Sequence, residues 1–374
     1  MPDVVDLAKQ LIACPSVTPI DAGAMAVVEK FLQPLGFKVE RMRWGAVENI
    51  YARIGTASPH ICFAGHTDVV PPGDEAAWKS PPFAPEIRDG RLYGRGAADM
   101  KGAIAAFLCA GREFLKAHPK FKGSLSYLIT GDEEAEAVDG TVKVVGALKE
   151  RKEAPDYCVV GEPSCPEELG DLVKIGRRGS FSATITIYGT QGHSAYPQNS
   201  DNPLPKMVEL ARKLARHQLD SGSKHFQPSN LVLTSIDTGN AATNVIPAKV
   251  TTKLNIRFND HHSGKSLAEW LNDMCQKSGA RYDLSIKPSA EPFLTSDHAF
   301  ADRVRKAVKN VTGKMPEKST TGGTSDARFI KDLCPVVEFG PVNLTAHKVD
   351  ENILVEDLRK LQTVYQNIME DILA

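Results

Sequence analysis

Short apolar runs at residues 61–64, 125–130 and 157–160 limit the folds open to this chain more than any other feature. Strands this short with no polar face belong in a sheet covered on both sides, and helices between them supply parallel crossovers. The spacing predicts a helix over 101–118, with Ile104, Phe107, Leu108 and Leu115 on one face, and an amphipathic helix over 22–35. The same style returns late in the chain, with a helix at 299–312, a strand at 335–339 and a final helix from Glu356.

Between these stretches the pattern changes. Strand (180–188), helix (203–218), strand (230–236), strand (248–257), helix (265–277) and strand (282–286) follow one another, the β-α-β-β-α-β order of ferredoxin-like domains. Phe181, Ala183, Ile185 and Ile187 alternate with Ser182, Thr184 and Thr186, which suits a sheet with one face in water. A chain of 374 residues exceeds one ordinary core. The expected architecture is therefore α/β: a mainly parallel-stranded domain built from residues 1–178 and 291–374, interrupted by a lid at 179–290.

With 45 basic and 46 acidic residues the formal charge is -1, which gives no reason to expect a nucleic-acid or membrane-surface partner. Seven cysteines include no Cys-x-x-Cys pair, so neither a disulfide framework nor a thiolate metal site is indicated, and a reducing, cytoplasmic setting is expected. The most apolar stretch, 103–111, is far short of a membrane span, and the first sixteen residues read as an amphipathic helix, not a leader. The glycines at 94–96 lack the following Lys-Ser/Thr of a phosphate loop and the G-x-G-x-x-G fingerprint. Nucleotide binding is not expected.

The unusual polar residues cluster beyond the apolar runs. The first run leads into Gly65-His66-Thr67-Asp68, the second into Asp132-Glu133-Glu134, the third into Glu162. His347 follows the late strand by one loop, and Asp99 closes a glycine-rich turn where it is also placed to cap the next helix. In parallel sheets the C-terminal strand edge is where ligands bind. Two imidazoles with three or more carboxylates suit a pair of divalent ions, with zinc favoured by the histidines and cobalt or manganese as substitutes. One short Asp can bridge ions about 3.5–4 Å apart. Glu133 and Glu134 are neighbours that cannot both point one way along an extended backbone, so one can ligate while the other carries protons.

GHTDVVP, GRGAADMKG, TGDEE, GEP and AHKVDE resemble the M20 metallopeptidase and deacylase family over nearly the whole chain, including its ferredoxin-like lid. The resemblance implies two zinc ions per subunit, with His66 and Glu162 on one, Glu134 and His347 on the other, and Asp99 between them. It makes Asp68 the group that orients His66 through its second ring nitrogen, and Glu133 the general base of amide hydrolysis. It further implies a homodimer through the lid, in which His193 reaches the other subunit's site to polarise the scissile carbonyl. GRRGSFSATITIYGTQGHSAYP, NVIPAK, STTGGTSDARF and GPVNLTAHKVDE point to a branch acting on a small N-succinyl amino acid. Sister enzymes that deacetylate amino acids or cut dipeptides are the alternative. A succinyl group carries a free carboxylate, which asks for a cation or a nest of donors. Arg178 and Arg257 are candidate cations, Ser180, Gly323 and Thr324 candidate donors, and the resemblance adds Tyr196, Asn244 and Asn343 to the pocket. The remaining histidines, His60 among them, are assigned surface or structural places.

Overall fold

All seven residues of the strand His60–His66 are buried, and so are all seven of Ser124–Thr130. That demands a sheet covered on both faces. The computed structural model describes residues 1–295 and 297–374, and in it these strands pair in parallel at the middle of an eight-stranded sheet. The spatial order is Lys38–Trp44, Val47–Gly55, Ser124–Thr130, His60–His66, Tyr157–Val160, Val336–Glu338, Leu172–Lys174 and Glu317–Ser319. Pairing is parallel through the centre, from Ser124–Thr130 to Val336–Glu338, and antiparallel in the hairpin at the first edge. The fold is thus α/β with a largely parallel central sheet. The hairpin strand Lys38–Trp44 eluded the sequence reading because only Met42 of its seven residues is buried. An edge strand carries no continuous apolar signal.

Helix Lys101–Ala117 lies against this sheet. Its Phe107 ring sits 5.7 Å from Phe63 and 5.8 Å from Tyr127, and Tyr365 of the last helix, Val355–Leu373, closes the cluster at 5.4 Å from Phe63. The expected single apolar face proves too narrow. Ala103, Ala105, Ala106 and Ala110 are buried as well, as befits a helix packed nearly all round, while Phe114 takes the inner place expected of Leu115. Close approach is what Gly111 permits: a Cβ there would lie 1.9 Å from Tyr127 Oη. Gly111→Ala would force the helix outward, an overpacking cost of about 1–3 kcal/mol.

The chain divides into two compact units, one of Met1–Ile175, Thr295–Ser319 and Ser325–Ala374, the other of Gly176–Leu294 with Thr320–Thr324. The second unit has its own antiparallel sheet in the order Asn230–Asp237, Lys249–Phe258, Gly179–Tyr188, Arg281–Ala290. With helices Pro203–Arg216 and Gly264–Gln276 this is the ferredoxin-like arrangement. Residues of Gly179–Tyr188 alternate buried and half-buried, and Phe181, Ile185 and Ile187 meet Leu210, Leu214, Leu267 and Leu271 in one core. The helix starts are encoded locally. The Asn202 side chain accepts the Leu204 N–H at 3.1 Å ahead of Pro203, and Ser263 with Ser266 forms a reciprocal cap. On the edge strand, Val232 and Ile236 remain 50% and 48% exposed.

Candidate metal centre

Register places the chemistry. His66 lies opposite Thr130, Ala64 opposite Val160, and Val160 opposite Glu338, so the C-terminal ends of neighbouring parallel strands stand side by side. The turns that follow bring His66, Asp99, Glu133, Glu134, Glu162 and His347 together within the first unit. Asp99 sets Oδ1 3.3 Å from His66 Nε2 and Oδ2 3.3 Å from His347 Nε2. Glu134 Oε1 is 2.8 Å from His347 Nε2, while Glu162 and Glu133 stand 3.8 and 3.9 Å from His66 Nε2. One ligand atom each from His66, Asp99 and Glu162 falls within 4.8 Å of the others, as it does for Asp99, Glu134 and His347. His66, Glu133 and Glu134 make a third such group.

The donor set fits cations. His66 Nε2 and Asp99 Oδ1 are buried without a hydrogen bond of proper geometry. Five carboxylates, counting Asp68, surround two imidazoles. Burial disfavours charge on His66, but Asp99, Glu133, Glu162 and Asp68 outweigh it and raise its pKa well above the usual value. Hydrogen bonds to Asp99 and Glu134 push His347 up to about 10. Burial, then Glu162, raises Glu133 well above an ordinary carboxyl. Burial also works against ionised Asp99, yet the two imidazoles hold it far below its ordinary value. A site this anionic takes either protons or metal ions, and metal ions displace the imidazole protons.

Two expectations need correction. His66 Nδ1 lies 2.9 Å from the Asp68 backbone carbonyl, whereas the nearest Asp68 carboxylate oxygen is 3.7 Å away. The carbonyl fixes the ring, a task a peptide oxygen performs as well as a carboxylate. The Asp68 side chain is turned to the backbone N–H groups of Glu133 and Glu134. Asp99 does not cap the following helix, whose start at Met100 has no side-chain cap.

Sequence reasoning gave no role to Asp326 or Glu351, both buried. Burial pushes the Asp326 carboxyl up to about 6, against the pull of Thr141, Arg328 and His66. Their signals lay inside quoted motifs, TSDAR and AHKVDE.

The other expected site residues fall in groups. In the second unit, Arg178 Nη1 donates to Asn230 Oδ1 at 2.8 Å and to the Pro228 carbonyl at 3.2 Å. Ser180 pairs with Arg257 across the sheet, and burial together with the charge of Arg178 lowers the Arg257 pKa. Arg178 Nε and Arg257 Nη1 are buried without hydrogen-bond partners. A separate group in that unit holds His193, which pairs with Val245 and accepts the Ala195 N–H on Nδ1 at 3.1 Å. Tyr196 stacks edgewise 5.6 Å from its ring, and the Asn244 carbonyl accepts the Ser194 N–H. The Gly323 carbonyl, beside Thr324, accepts from Arg177. Asn343 belongs to the first unit, exposed, with its N–H on the Cys165 carbonyl. Among the described residues no helix is long and apolar enough to cross a membrane.

Imidazole and carboxylate donors gathered at the C-terminal edge of a largely parallel sheet, with a buried carboxyl beside them, define a metal-dependent hydrolase. The chain belongs to Peptidase family M20/M25/M40, whose model matches residues 62–371. It is 54% identical over 374 residues to a succinyl-diaminopimelate desuccinylase of Rhodospirillum centenum, covering 99% of this chain and 97% of that one. It is 51% identical over 381 residues to the enzyme of the same name from Parvibaculum lavamentivorans, covering 100% and 96%. Among solved structures, an M20 family metallo-carboxypeptidase from Sulfolobus solfataricus superposes with a TM-score of 0.82 at 20% identity, covering 99% of both chains. Human carnosine dipeptidase 1 does so at 0.74 and 22%, covering 99% of this chain and 96% of that one. At these identities the structural likeness speaks for the fold.

Proposed function

We propose that the chain hydrolyses the amide of N-succinyl-LL-2,6-diaminopimelate to succinate and LL-2,6-diaminopimelate in the cytoplasm. The observation that carries hydrolysis is Asp99, with one oxygen facing His66 and the other facing His347. The substrate is supported by full-length relatives at 51–54% identity, all named succinyl-diaminopimelate desuccinylase. The compartment is supported by seven free cysteines, six of them buried.

His66 and Glu162 would hold one zinc ion and Glu134 and His347 a second, with Asp99, which faces both histidines, available to each. Bound zinc supplies Lewis acidity to the amide carbonyl and acidity to water at neutral pH. Glu133, with its pKa raised by burial, takes the proton of the attacking water and returns it to the departing amine nitrogen. Asp68 steadies the turn that carries Glu133 and Glu134. Arg178 and Arg257, each with a buried guanidinium nitrogen to spare, receive the succinyl carboxylate with Ser180, Gly323 and Thr324, while Tyr196, Asn244 and Asn343 border the substrate. The lid's edge strand, with Val232 and Ile236 half exposed, pairs two copies into a homodimer, through which exposed His193 polarises the scissile carbonyl.

Succinate release from N-succinyl-LL-2,6-diaminopimelate, measured beside deacetylation of N-acetylornithine, tests the assignment. Preference for the succinyl substrate is expected, and equal or reversed preference overturns it.

A further inference from the structure

Glu351 is an acid with no exposed surface that no step above employs. Its Oε1 accepts the N–H groups of Ala98 and Asp99, both at 2.9 Å, and its Oε2 accepts the Gly96 N–H at 3.0 Å and Arg95 Nη1 at 2.7 Å. All four donors sit on the loop that ends in Asp99. Glu351 stands four residues after His347, in a segment where His347 and Asp350 adopt left-handed backbone, φ 63° and 56°. Such backbone at non-glycine residues persists only where the surroundings over-determine it. Two further bonds join the same loops: the Gly94 N–H donates to the Glu351 carbonyl at 2.9 Å, and Arg95 Nη1 donates to the Lys348 carbonyl at 3.2 Å.

We propose that Glu351 is a positioning residue that locks the Asp99 loop to the His347 loop and thereby sets the spacing of the two metal sites that share Asp99. It touches no substrate atom. Held at its own N–H, Asp99 starts from a fixed point and turns one oxygen to His66 and the other to His347. The inference rests on the two-metal reading of the site.

Glu351→Gln keeps the shape but sets an NH2 group against the Gly96 N–H or the Ala98 and Asp99 N–H groups, and it leaves Arg95, 1% exposed, without its anion. Glu351→Asp keeps the charge but is one methylene too short to serve every donor. Zinc titration of metal-stripped protein in a chelator buffer is the experiment, beside wild type and with folding followed by circular dichroism. Wild type is expected to take up two ions. Each variant is expected to hold the first and bind the second about 10- to 100-fold more weakly. Raising free zinc by a matching factor should restore kcat at unchanged KM, which general loosening of the fold would not do. Should Glu351→Gln fail to fold, Glu351→Asp carries the test. A folded variant that binds both ions as tightly as wild type overturns the proposal. Wild type that takes up no zinc defeats the two-metal reading itself, and that failure is visible in the control alone.

Discussion

The Asp68 carboxylate accepts the backbone N–H of Glu133 at 3.1 Å. The same oxygen takes the Glu134 N–H at 3.0 Å, so one side chain of 1% exposure holds the turn that carries two functional carboxylates. Asp68→Ala leaves both N–H groups without an acceptor, at about 1–3 kcal/mol for each that stays buried. The expected result is a fall in kcat of roughly 10- to 100-fold with zinc content near that of wild type. Steady-state kinetics beside metal analysis would show it, and unchanged kcat would mean that the turn holds its shape unaided.

Glu133 stands 3.9 Å from His66 Nε2 yet is absent from the two ligand groups that share Asp99. Glu133→Ala is therefore expected to keep both metal ions and lose about 10²- to 10⁴-fold in kcat, the scale of general-base catalysis. Normal turnover in that variant would take Glu133 out of the proton path.

Most of this centre is legible in the sequence. His66, Glu133 and Glu162 stand two or three residues past the ends of apolar runs, and strand direction alone aims them at one edge. What escaped was whatever depends on backbone groups. A sequence shows that Asp68 is two residues from His66, but not that the carbonyl lies closer to the ring than the carboxylate. Glu351 lies about 250 residues from the N–H groups it accepts, and no local pattern announces such a bond. The hairpin Lys38–Trp44 with Val47–Gly55 escaped for another reason, since its outer strand buries a single side chain and lacks a run to detect.

Stripping divalent ions should abolish turnover, and zinc, cobalt or manganese should restore it. Stability should follow, because ions that bind only the folded chain stabilise it by about 2.7 kcal/mol at a hundredfold excess over Kd. Thermal unfolding with and without added zinc would reveal the coupling. Full activity after exhaustive chelation would exclude metal from the reaction.

Arg178 and Arg257 each bury a guanidinium nitrogen without a hydrogen bond, and the charge of Arg178 disfavours that of Arg257. A bound carboxylate would relieve both. Arg257→Ala should lower kcat/KM on a succinyl substrate by roughly 10- to 100-fold, the 1.5–3 kcal/mol of a charge-assisted hydrogen bond. An acyl group without a carboxylate should be affected much less. Equal losses on the two substrates would count against carboxylate recognition.

His60 gives the fold an acid limit that is separate from catalysis. It is 2% exposed, with Nε2 2.8 Å from Ser126 Oγ. Burial, aided by the charge of Arg53, lowers its pKa to about 4 against the pull of Asp156 and Glu153. An unfolded histidine titrates near 6.5. Between pH 6.5 and about 4 the unfolded chain therefore binds more protons at this position than the folded one, and acidification favours unfolding. The contribution is fully present above pH 6.5 and declines by up to roughly 3 kcal/mol as pH falls through that window. Urea unfolding at pH 7 and pH 4.5 should show wild type losing about 2 kcal/mol more than His60→Gln, whose side chain can still bond Ser126 but takes no proton. Other titrating groups are common to both proteins and cancel in the comparison, so equal losses would show that His60 ionises inside the folded sheet.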